Sequence, residues 1–157
     1  MLSAEEVSDQ IEIAQVLQRY FRSMDEKDYA LLETVFTPDA TLHYDMQGGA
    51  KSTYREMVPR FREFNQHFCF TQHIMGHPLI ELDGDRARST NSLRAIHVQL
   101  TPEGEQNTWV VYGFYRDLHL RTPDGWRIPE RYFKGVHFEG TLLPFDRVQR
   151  FPRPPWL

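Results

Sequence analysis

The sequence predicts an α+β fold in which three N-terminal helices pack into a strongly curved, mainly antiparallel sheet. Up to Phe64 the chain reads as three helices interrupted by one short strand, and the helix-start signals lie in this half. After Gln66 the chain becomes extended, with β-branched and aromatic stretches separated by Asp83-Gly84-Asp85, Pro102-Glu103-Gly104 and Pro123-Asp124-Gly125. Helices first and long strands afterwards place the elements in segregated layers rather than in βαβ units.

The first helix is expected from Glu5 to Met24, with Val7, Ile11, Ala14, Leu17, Phe21 and Met24 as its apolar stripe and Ile13, Val16 and Tyr20 widening it. A short turn, Asp25-Glu26-Lys27, leads to a second helix over Tyr29–Phe36, with Asp28 as its cap and Pro38 as its stop. Thr41 to Met46 alternates like a strand, and Gly48-Gly49 breaks it. Thr53 with Glu56 three residues later forms a capping box for a third helix through Phe64, which contains Pro59. Four strands follow as a meander, over residues 67–82 with a kink at Gly76-His77-Pro78, then 86–100, 108–121 and 126–138. This gives one domain over residues 1–141 and an extended, Pro-rich tail over 142–157 that could cover a pocket mouth, reach a neighbouring subunit or be disordered.

Composition narrows the function classes. A chain of 157 residues can bury about 70% of its unfolded surface in one core. The net charge of -4, without a long basic run, argues against a nucleic-acid partner. No apolar run reaches the roughly 18 residues of a membrane span, and the acidic start MLSAEEVSDQ is unlike a secretion signal, so a cytoplasmic protein starting near Met1 is expected. The single cysteine, Cys69, excludes an internal disulfide and a cysteine-based zinc cluster. Aromatic residues make up 13% of the chain, which suits either a pocket with flat apolar walls or an aromatic-rich core. Phosphate-binding loops, the dinucleotide fingerprint and the Gly-x-Ser-x-Gly elbow are all missing, so acid–base chemistry is what remains, with neither metal nor cofactor expected.

Asp25 follows Phe21 by four residues, at the C-terminal end of the first helix and in line with its apolar stripe. The helix dipole is unfavourable to a carboxylate there by roughly 0.3–1 kcal/mol, so Asp25 either points into solvent or meets a donor such as imidazole. Strand parity puts His73 on one face with Cys69, Thr71 and Met75, and His97 on one face with Ala87, Ser89, Asn91, Leu93 and Ala95. Arg86, Arg88 and Arg94 mark the opposite, solvent side, so His97 should face inward among small residues. A lone inward histidine is more often a hydrogen-bonded core residue than a catalyst.

Several strings together resemble the SnoaL-like branch of the NTF2-like superfamily: Tyr20 with Met24-Asp25-Glu26-Lys27-Asp28-Tyr29, Phe36-Thr37-Pro38-Asp39-Ala40, Thr71-Gln72-His73-Ile74-Met75-Gly76 and Asp124-Gly125-Trp126-Arg127-Ile128. That branch includes scytalone dehydratase, bile-acid 7α-dehydratase and hexachlorocyclohexane dehydrochlorinase. The resemblance covers about residues 8–140 and implies a cone-shaped barrel closed by three helices around a deep pocket. It implies an Asp25–His73 dyad, with Tyr20, Tyr44, His97 and Arg131 as further catalytic candidates. Two departures stand out: Gly113-Phe114-Tyr115 where scytalone dehydratase has a Ser-x-Asn face, and Met24 where it has a tyrosine. The resemblance thus implies a cofactor-free lyase or isomerase on a small, cyclic, apolar substrate, in a homo-oligomer (a dimer or trimer). The alternative is a non-catalytic ligand-binding module or the small subunit of a ring-hydroxylating oxygenase.

Overall fold

A computed structural model describes residues 1–45 and 51–157. Helix α1 spans Ala4–Asp25, and a 3-10 helix follows over Tyr29–Thr34. Strands β1 (Phe36–Tyr44) and β2 (Lys51–Thr53) precede helix α2 (Tyr54–Asn65). Then come β3 (Phe70–Met75), β4 (Leu79–Asp83), β5 (Arg86–Leu100), β6 (Gln106–Thr122) and β7 (Gly125–Gly140). The seven strands form one curved sheet in the order β2-β1-β7-β6-β5-β3, with β4 also on β5. Every pairing is antiparallel except β1 with β7, which is parallel. The sheet is open rather than closed into a barrel, with β2 and β3 at the ends of its strand order, and the helices lie against its concave face.

Local chemistry sets these boundaries. Ser3 and Glu6 form a capping box at the start of α1, and Thr53 and Glu56 form the expected one at α2. The buried face of α1 is Ile13, Val16, Leu17, Tyr20, Phe21 and Met24, whereas Val7 and Ile11 are exposed. The stripe is therefore rotated from the expected one at its first turns, where Asp9 turns inward to bind Trp126 Nε1 (3.0 Å) and Arg121. The second helix is shorter than expected and has the tighter 3-10 form; Asp28 occupies its cap position without a side-chain bond. It stops before Phe36 because Val35 O accepts the backbone N–H of Ile128 (2.8 Å), which starts the pairing of β1 with β7. Pro38 falls within β1, at the irregularity between Phe36 and Thr41 where the ladder needs no donor from it. The expected end of this strand at Met46 and its Gly48-Gly49 break lie outside the described residues.

In the meander the expected first strand is divided into β3 and β4 at Gly76-His77-Pro78. Gly84 and Gly125 occupy the two hairpin turns that flank β5 and β7 with φ of 60° and 95°, a region side-chain-bearing residues rarely adopt. Inward parity along β5 holds as read: Ala87, Ser89, Asn91, Leu93, Ala95 and His97 are all buried. No helix among the described residues is long and apolar enough to cross a membrane.

Candidate active site

The concave face of the sheet, α1 and α2 border a half-open cavity of about 660 Å³, within the range of small-molecule sites. Its walls are largely aromatic and aliphatic, including Phe61, Phe64, Trp109 and Phe133, with Arg60 and Glu63 of α2 also on its lining. Tyr20, Tyr44, His73 and His97 line it; Arg131 does not.

The end of α1 and the middle of β3 meet at Asp25 and His73. Asp25 Oδ2 accepts the backbone N–H of His73 at 2.9 Å, and Oδ1 lies 2.6 Å from its ring Nδ1. An ionised carboxylate only accepts, so opposite one the ring proton sits on Nδ1 and the lone pair on Nε2, in a residue that lines the cavity. Two donors from one residue supply the compensation that a carboxylate at a helix C-terminus needs. The His73 ring stacks on Phe21 (5.7 Å between centroids, 14°) and meets His97 edge-on (5.7 Å, 82°).

Tyr20 and Tyr44 reach the cavity from α1 and β1, and their hydroxyl oxygens are 2.5 Å apart. Burial, and then the neighbouring Tyr20, push the Tyr44 hydroxyl well above its ordinary range, so at neutral pH it holds its proton. Burial does the same to Tyr115, whose ring packs edge-on to Tyr20.

His97 is buried, and its Nδ1 has no hydrogen-bond partner among the described residues. Burial first, and then the neighbouring His73, bring its pKa down to about 3, so His97 is a neutral imidazole at neutral pH. His119, buried with Ser89 Oγ on its Nε2 at 2.8 Å, is brought down to about 4, mainly by burial. Both rings would charge at ordinary acid pH in the unfolded chain but not in the folded one. The unfolded state therefore binds more protons between about pH 6.5 and pH 3–4, and stability falls as pH falls through that window. We expect acid unfolding that His97→Phe and His119→Phe each make less steep, read from denaturation midpoints between pH 7 and pH 4; unchanged slopes would contradict the assignment.

Arg131 is fully buried and opposite Asp117 in the β6–β7 register. Its Nε and Nη2 donate to the two Asp117 carboxylate oxygens, each at 2.7 Å. The guanidinium carbon lies 4.1 Å from the Tyr20 ring centroid and 4.3 Å from that of Tyr115. Arg131, which the resemblance offers as a catalytic candidate, is therefore not on the cavity lining: the cross-strand carboxylate draws it along the sheet, behind the two phenol rings. Asp117 and Tyr115 were not among the sequence candidates. Their signal was the inward parity Trp109, Val111, Tyr115, Asp117, His119 along β6, opposite Arg116 and Leu118. Among the described residues no group of three or more His, Cys, Asp or Glu is placed to hold a metal ion.

A family model described as a SnoaL-like domain matches residues 5–132. An uncharacterized protein of Mycobacterium tuberculosis, Rv2910c, is 35% identical over 133 residues, covering 83% of this chain and 88% of its own. Among solved structures, a scytalone dehydratase-like protein from Novosphingobium aromaticivorans superposes with a TM-score of 0.74 at 17% identity, over 91% of this chain and 93% of that one. A hexachlorocyclohexane dehydrochlorinase superposes with a TM-score of 0.72 at 11% identity, over 87% and 90%. At these identities the two structures show a shared fold.

Proposed function

Because the chain belongs to the SnoaL-like family, we propose that it is a cofactor-free lyase or isomerase acting on a small, ring-shaped, largely apolar molecule. The observation that carries this reading is a histidine whose Nδ1 is committed to a carboxylate and which shares the lining of an aromatic-walled cavity with a hydrogen-bonded tyrosine pair. Two structural neighbours carry the names of eliminating enzymes, which supports the same class.

In the proposed reaction His73 Nε2 takes a proton from a ring carbon, with Asp25 holding the imidazolium that forms. The C–H electron pair becomes the new π bond as the bond to the neighbouring oxygen breaks. That oxygen leaves as water with a proton from the Tyr20–Tyr44 pair, and transfer of the imidazolium proton back to the tyrosinate restores the site. Neutral His97 is available as a hydrogen-bonding group along the same wall. Arg131, with Asp117 balancing its charge, would act through the tyrosine rings rather than on the substrate. In an isomerase variant the proton returns to a different carbon and no oxygen departs.

The test is proton exchange: a ring ketone incubated in deuterated water should gain deuterium on the carbon beside its carbonyl with the wild-type chain and not with His73→Gln. Equal exchange by both would overturn the base assignment, and no exchange with any such compound would favour a binding module. Tyr20→Phe and Tyr44→Phe should each slow turnover by about 10²–10³, the usual loss for one preorganised donor. Single-turnover rates check this, and wild-type rates in both variants would remove the pair from the mechanism.

A further inference from the structure

Residues 142–151 form a strap that contains no strand and one 3-10 turn, Phe145–Arg147. It is pinned to three separate parts of the molecule. The buried Gln99 side chain of β5 accepts from Leu143 N (2.9 Å) and donates to Leu143 O (3.2 Å). Gln149 N donates to Leu100 O (2.8 Å), and Phe151 N donates to Gln66 O just beyond α2. Lys27, in the turn after α1 with φ of 57°, donates through Nζ to Phe151 O (2.5 Å) and Phe68 O (2.8 Å). Held this way, the strap puts Leu142 and Phe145 on the lining of the cavity.

We propose that Phe145 is a specificity-determining residue, the movable end wall that limits how long a ring system the cavity admits. The other aromatic lining residues stand on the two α-helices or on sheet strands, and they cannot retreat without breaking regular backbone bonds. Phe145 is half-buried and starts the strap's three-residue 3-10 turn, closed by Arg147 N donating to Pro144 O (3.0 Å). One face of its ring lies on the His67 imidazole (4.1 Å, 4°) and its edge meets Phe64 (5.7 Å, 72°). Leu142 sits beside the Gln99 clamp and is the fixed end of the strap; Phe145 lies between that clamp and the Lys27 latch. Truncating it lengthens the cavity toward the strap, whereas the sheet and helix walls keep their places.

The proposal rests on the reading of this cavity as a site for ring compounds, but not on proton transfer by the dyad. The probes are 2-naphthol and the longer 1-hydroxypyrene, with Kd read from quenching of tryptophan fluorescence, Trp109 being on the lining. In Phe145→Ala the affinity for 1-hydroxypyrene should rise, and that for 2-naphthol fall, by roughly tenfold each, with Phe145→Leu between wild type and Ala. Lys27→Gly, which suits the positive φ and removes the ammonium, should speed release of both probes while leaving their affinity ratio unchanged. An identical ratio of the two affinities in wild type, Phe145→Ala and Phe145→Leu would overturn the proposal, as would failure of the wild type and both Phe145 variants to bind either probe. A shifted ratio in a chain that exchanges no substrate proton would leave the wall standing and remove the chemistry; the reverse result would do the opposite.

Discussion

Asp25→Asn is expected to lower turnover by about 10²–10⁴, the usual contribution of positioned general acid–base catalysis, in a chain that still folds. The reason lies in what the two oxygens of Asp25 do: one accepts the backbone N–H of His73 and the other its ring N–H. An Asn can put its single oxygen on only one of these donors. If that oxygen stays on the backbone, the amide NH₂ faces Nδ1 and donates to it, so the ring proton moves to Nε2. The lone pair that should take the substrate proton is then gone, although the ring has hardly moved. Considered from the helix dipole alone, Asn would stabilise the end of α1 by relieving about 0.3–1 kcal/mol. The structure reverses that expectation, because hydrogen bonds to a charged group contribute about 1.5–3 kcal/mol. The thermal midpoint should therefore drop by several degrees rather than rise. The measurement pairs that midpoint with single-turnover exchange; a folded Asp25→Asn protein with full activity would sink the mechanism.

Asp117→Ala is expected to be the most damaging substitution for stability, at roughly 3–5 kcal/mol. It leaves the Arg131 guanidinium fully buried between two phenol rings with no carboxylate opposite. In a protein of this length the midpoint moves about 2–4 °C per kcal/mol, so a fall of roughly 6–20 °C is anticipated by calorimetry. The double change Asp117→Leu with Arg131→Met should recover much of this, since hydrophobic replacement of a whole buried pair is often neutral or better. If the pair serves only the core, that double variant keeps its activity. Loss of turnover with a restored midpoint would show that the charge behind Tyr20 matters to the tyrosine pair. A single Asp117→Ala midpoint within a degree of wild type would mean that the guanidinium finds another partner.

What the sequence made legible follows from periodicity. The alternation in β5 placed His97 inward, and the Thr53–Glu56 spacing marked the start of α2, because both are local signals. Asp25 and His73 are 48 positions apart, and only the resemblance suggested that they pair. The same alternation would have exposed Tyr115 and Asp117 in β6, but the reading of that strand stopped at Gly113-Phe114-Tyr115 as a departure from a related enzyme. Arg131 came from the resemblance alone, which gives a position in the chain and says nothing about the cross-strand carboxylate, Asp117, that claims its side chain. Likewise, nothing local in Val35-Phe36 announces that the chain leaves its helix there, since the cause is Ile128, far along the sequence.

The parallel pairing of β1 with β7 has a consequence for how the molecule comes into being. β1 ends at Tyr44, while its partner strand begins only at Gly125, so nearly the whole chain must be synthesised before the two can join. Until then the apolar face of α1 has no complete sheet to lie against, and the cavity between them does not exist. Contacts of such long sequence separation are closed slowly, because the entropy of a long loop is lost before the contact can repay it. A nascent chain emerging from the ribosome would carry Tyr20, Phe21 and Met24 uncovered until its last long strand arrives. Truncation within β7 should therefore raise chaperone demand during translation as well as removing buried core from the folded chain.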